Sequence, residues 1–95
     1  MSDDLLINAR TTINEIDREL ANLFVQRMNA VKDVARYKKE HGLPVFDEER
    51  EKVVIKKNME LVNDEEYKPY FEKFIKDVMN VSKDYQRAYI DNNTN

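Results

Sequence analysis

Three cations interrupt what is otherwise an apolar helical stripe. Arg10 follows Leu6 by four positions and precedes Ile13 by three. Arg27 follows Phe24 by three and precedes Val31 by four, and Lys38 follows Val34 by four. Positions three and four apart share one face of a helix, so all three side chains fall on the face that periodicity assigns to packing. A cation buried there is costly unless it meets a counter-charge or an anionic ligand. One such cation is most often a snorkelling or salt-bridged side chain, and Asp17 and Glu19 are available as partners. Three on one stripe favour an anion site. Spacing then divides them: Arg27 and Lys38 lie roughly 16 Å apart along a helix axis, within joint reach of one small ligand, whereas Arg10 and Arg27 lie roughly 25 Å apart. If Arg10 serves the same kind of site, it comes from another subunit, as an antiparallel pairing of two first helices would allow.

Two further groups carry weaker signals. Asp47, Glu51, Val54 and Asn58 share a face, with Arg50 beside it; alone this is an exposed acidic helix start. Ser82 and Gln86 stand at i and i+4 in line with Val78, Met79 and Tyr89; alone they are polar boundary positions. The aromatic residues nearby read as core and rim, and His41 as a solvated helix end.

The elements that must position these residues are helices. The chain has one Gly and two Pro, confined to Gly42-Leu43-Pro44 and Pro69, and is rich in helix formers, so long helices with two joints are expected. The first runs from about Asp3 to Glu40, with Ser2 or Asp3 as its cap and Gly42 just past its end. At roughly 55 Å it exceeds the width of a 95-residue globule, so its stripe of Leu6, Ile13, Ile16, Leu20, Leu23, Phe24, Val31, Val34 and Ala35 needs cover from another chain. Asp47 is a good N-cap for a second helix from about Glu48 to Leu61, burying Val54, Ile55, Leu61 and Val62. Asp64 caps the next joint, and Pro69 suits the first turn of a third helix that buries Phe71, Phe74, Ile75, Val78, Met79, Val81, Tyr85 and Tyr89. The tail from Asp91 reads as frayed. The expected fold is all-α, one domain over residues 1–95, with three helices per subunit, the first very long, in an intertwined antiparallel homodimer.

Composition narrows the function. Charged residues make up 37% of the chain, but the signs interleave and the net charge is −3, which argues against nucleic-acid binding. Without cysteine and with a single histidine, neither a thiolate nor a His-based metal site is expected. No stretch reads as a membrane span or a basic-apolar leader, so the expected compartment is the cytoplasm.

Taken in order, Leu6 to Arg10 with Ile13, Ile16 and Asp17, Arg27 ahead of the Val31-to-Lys38 stretch, Pro44-Val45-x-Asp47-x-x-Arg50-Glu51, and Ser82-x-x-x-Gln86 form a specific pattern. Through it the chain resembles the all-helical (AroQ-type) chorismate mutases, in their monofunctional bacterial form, over about Leu5 to Gln86. The resemblance implies conversion of chorismate to prephenate in phenylalanine and tyrosine biosynthesis, with no cofactor and no metal, in a dimer with two sites that each take Arg10 from the partner chain. It implies that Arg10 and Arg27 clamp the two substrate carboxylates with help from Ser82. Lys38 and Gln86 donate to the ether oxygen, and Glu51 accepts from the substrate hydroxyl. Asp47 and Arg50 complete the wall near the loop, and Val34 and Met79 line it. Some branches carry Glu at the position of Gln86, where it must be protonated to donate; the neutral amide here implies little pH dependence near neutrality. No fused domain is expected, hence no attached feedback control. The competing readings are an isochorismate-pyruvate lyase of the same fold and a non-catalytic helical dimerisation module. The latter leaves three inward cations without an anion.

Overall fold

The computed structural model describes residues 2–92, with side chains from Asp4 onward. Among them it contains three helices and no strand: α1 (Ser2–His41), α2 (Glu48–Met59) and α3 (Lys68–Asn92). The long first helix and the all-α class agree with the sequence reading. The expected caps, Ser2 and Asp3, have side chains outside the described residues, as do the last three positions of the tail; Asp91 and Asn92 are helical.

Two units divide the chain, Met1–Ala30 and Val31–Asn95. The described part of the first is helix alone. Thr11 and Thr12 return their hydroxyls to the carbonyls of Ile7 and Asn8 at 3.0 and 3.1 Å, which lets two β-branched polar residues sit mid-helix without leaving a donor unused. Leu6, Ile13, Ile16, Leu20, Leu23 and Phe24 on its apolar stripe are each about half exposed. An amphipathic helix derives most of its stability from covering such a face, and within this unit nothing covers it.

The second unit holds the end of α1, a short loop, α2, a turn and α3, with α2 packed on α3. Its core is small: Val31, Ala35 and Met79 are the buried apolar residues, and Ser82 and Gln86 are buried with them. Val31 and Ala35 stand at i and i+4, as do Ser82 and Gln86, so each helix turns one narrow face inward.

The joints follow local chemistry. Gly42 adopts φ 64°, and the Leu43 and Gly42 amides donate to the Lys38 and Lys39 carbonyls at 2.8 and 3.4 Å. This is the paired hydrogen-bond closure that ends a helix on a left-handed residue, a conformation open to glycine without strain. The second helix ends at Met59, two residues earlier than expected. Leu61 N donates to Asn58 O at 2.9 Å, tightening the last turn to an i→i−3 bond, and Leu61 is 73% exposed where burial was expected. The third helix starts at Lys68. Asp64 Oδ1 accepts from Glu66 N at 2.9 Å and its carbonyl from Tyr67 N and Lys68 N, so Asp64 organises the turn before the helix. Pro69 occupies the first turn, where a missing amide hydrogen costs no bond. Phe74 and Val81, expected inside, are about half exposed.

Candidate functional site

The loop between α1 and α2 gathers one group of polar side chains. Because Gly42 reverses the chain, Val45 returns to the end of α1, and Lys38 Nζ donates to Val45 O at 2.7 Å. Two residues on, Asp47 is extended and caps α2, its Oδ1 accepting from Arg50 N at 3.1 Å. The cap starts α2 at a defined residue and sets Glu51 one turn further along. An open cavity of about 300 Å³ is lined by Lys38, Leu43, Pro44, Phe46, Asp47 and the first acidic residues of α2.

Electrostatics concentrate on Lys38. Burial pushes its ammonium below the pKa of an ordinary lysine, while the nearby carboxylates of Asp47 and then Glu51 push it back up. Desolvation penalises the charged form and opposite charges favour it; here desolvation prevails. The part-buried ammonium donates its hydrogen bond to a neutral carbonyl, that of Val45.

Helix α3 brings a second group. Ser82 is buried and donates to Val78 O at 2.9 Å. Gln86 is 6% exposed, and its Oε1 is buried with no hydrogen-bond partner among the described residues. A buried amide oxygen without a donor is a standing cost. An amide turned end for end presents Nε2 in the same place, so the position suits a ligand oxygen. Glu51 ties the groups together: its Oε2 lies 2.7 Å from Lys83 Nζ on α3.

Of the residues expected to act, Lys38, Asp47 and Glu51 are thus electrostatically coupled. Ser82 and Gln86 are buried on the helix that Glu51 contacts through Lys83. Arg50 is exposed, with its backbone engaged by the cap. Arg10 and Arg27 belong to the first unit and are exposed there. Met79 is buried, whereas Val34, expected as lining, is about half exposed.

Lys83 and Phe46 are the members that sequence reasoning missed. Lys83 lies next to Ser82 in the chain but one position off the apolar stripe, and in a sequence 37% charged a lysine there carries no signal. Its partner is 32 positions away, a pairing that periodicity within one helix cannot see.

These features define a class: an all-α protein whose polar cluster offers ammonium and amide donors beside carboxylate acceptors, suited to a small anionic ligand. Among the described residues no group of His, Cys, Asp and Glu is placed to hold a metal ion, and no helix is long and apolar enough to cross a membrane. Residues 9–87 match the chorismate mutase type II family, and the chain belongs to that family. It is 41% identical over 49 residues to the chorismate mutase of Methanocaldococcus jannaschii, covering 52% of this chain and 50% of that protein. It is 42% identical over 48 residues to the T-protein of Haemophilus influenzae, covering 50% of this chain and 13% of that protein. The chain thus spans half or less of the length of these curated relatives. No solved structure matches it significantly.

Proposed function

We propose that this protein is a chorismate mutase, an isomerase that converts chorismate to prephenate, occupying one domain over residues 1–95. The observation that carries the reading is a part-buried ammonium bonded to a neutral carbonyl together with a buried amide whose oxygen meets no donor among the described residues. The ammonium is that of Lys38 and the amide that of Gln86. Both lie in the stretch that matches the family.

The chemistry suits these donors. The rearrangement is intramolecular: an ether C–O bond breaks as a C–C bond forms, with no nucleophile, redox partner or obligatory proton transfer. A catalyst for it must hold a dicarboxylate in its compact reactive shape and stabilise negative charge growing on the ether oxygen. Lys38 and Gln86 are the donors to that oxygen. Glu51 accepts from the substrate hydroxyl, while Asp47 and Arg50 close the wall at the loop. Arg27 clamps one carboxylate with Ser82 assisting, since an arginine fork matches a carboxylate in two parallel hydrogen bonds.

Arg10 completes the site from a partner chain. The support is physical: the first unit carries an apolar stripe with no cover of its own, and a second α1 laid antiparallel covers it while delivering Arg10 near the partner's Arg27 and Lys38. The active form is then a homodimer with two shared sites, working in the cytoplasm without a cofactor.

Purified protein incubated separately with chorismate and with isochorismate, with products identified, tests the reading. Prephenate from chorismate is the expected result. Pyruvate release from isochorismate without prephenate formation would reassign the protein to the lyase reaction, and turnover of neither would overturn the enzymatic reading.

A further inference from the structure

Lys83 has no part in the chemistry proposed above, yet among the described residues its ion pair runs between two helices. Its Nζ lies 2.7 Å from Glu51 Oε2, with the two side chains 16% and 24% exposed. The other ion pairs among the described residues join positions three or four apart along the chain. Exposed pairs of that kind hold little. A charge-assisted bond at this length, partly withdrawn from water and spanning two elements, fixes both ends. The same ammonium sits 5.0 Å from the centroid of the Phe46 ring, close enough for a cation–π contact. One lysine thus ties α3 to the first turn of α2 and to the loop before it.

The consequence falls on Glu51 and Lys38. The Lys38 ammonium feels the charges of both Asp47 and Glu51. Asp47 is committed to capping α2, so the carboxylate at liberty to close onto Lys38 as a direct counter-ion is Glu51. Such closure would occupy both the donor and the acceptor that the site needs. With Glu51 held on Lys83, the direct bond of Lys38 goes instead to the Val45 carbonyl, a neutral acceptor that an anionic ligand displaces more easily than a carboxylate. The pair engages Oε2, which leaves Oε1 to accept from a ligand hydroxyl.

We propose that Lys83 is a positioning residue: by holding Glu51 through Oε2 and stacking on Phe46, it orients the acceptor carboxylate and keeps it off Lys38, so that Lys38 stays open to an anionic substrate. The proposal rests on the chorismate reading above.

The test is a double-variant cycle on the full chain, with chorismate as substrate. Lys83→Met is expected to lower kcat/KM by about tenfold, the scale of one hydrogen bond to a charged group, chiefly through a raised KM because the substrate must now displace Glu51 from Lys38. Lys83→Arg restores the value to near wild type. In the Glu51→Gln background, where no charge remains to hold, Lys83→Met adds less than about twofold, since coupled residues are non-additive. Lys83→Gln, which keeps a donor of similar size, is read alongside in case the methionine variant folds poorly. A mere brace between α2 and α3 would instead lower the melting temperature and leave kcat/KM of the folded protein unchanged, or lower it equally in both backgrounds. Either result overturns the proposal and leaves the chorismate reading standing. A wild-type protein that does not turn over chorismate overturns both.

Discussion

Replacing Lys38 with Met separates catalysis from folding. The substitution keeps most of the apolar stem and removes one ammonium. On the folding side, the loss is the 2.7 Å bond to Val45 O. A hydrogen bond from a charged donor contributes on the order of 1.5–3 kcal/mol when buried. This one is only part-buried, so water replaces much of it, and losing the desolvation that already lowers the Lys38 pKa works in the opposite direction. The net change in stability is expected to be about 1 kcal/mol or less. On the catalytic side, a donor aimed at charge that grows only in the transition state is worth about 3–4 kcal/mol, or roughly 10²–10³ in kcat. The variant should therefore unfold at nearly the wild-type urea midpoint while turnover falls by two to three orders of magnitude, measured as loss of chorismate with prephenate identified. A folded variant with kcat within threefold of wild type would refute the role of Lys38. A large drop in the urea midpoint that tracks the loss of turnover would show that Lys38 acts on the loop and not on the reaction.

Three further outcomes follow from the same geometry. Mixing Arg10→Ala with Lys38→Ala chains should regain about one working site per mixed dimer, because one site then has its own Lys38 and an intact partner Arg10; no recovery after chain exchange would exclude the shared site. Turnover should fall on the alkaline side at a pH below that of an ordinary lysine, because the ammonium of Lys38 is lost as pH rises through its lowered pKa. Glu51→Gln removes a charge that raises that pKa, so the limb should move to lower pH in residual activity, and an upward shift would contradict the assignment. Gly42→Ala should cost about 1–2 kcal/mol in chemical unfolding, since φ 64° is strained for a residue with Cβ although that Cβ would meet no atom within 4 Å; a neutral effect would mean that the end of α1 rearranges.

The helices were legible because their causes are local. One glycine and two prolines in 95 residues leave few places to break a helix, and Gly42, Asp47 and Pro69 each act within one turn of themselves. The end of α2, at Met59 and not at about Leu61, was less legible. Asn58 and Asp64 offer side chains that satisfy the backbone locally, Asn58 donating to Val54 O and Asp64 accepting from Glu66 N, so a helix can stop at more than one residue there. Lys38, Ser82 and Gln86 could be singled out because a polar residue on an apolar face violates a pattern that four or five neighbours establish. Lys83 could not, because it violates none. Its importance arises only when α3 lies against α2 and sets its ammonium between Glu51 and Phe46, bringing residues distant along the chain within bonding distance. Sequence periodicity records which face of a helix a residue occupies; which residue of another helix it meets there is decided by packing.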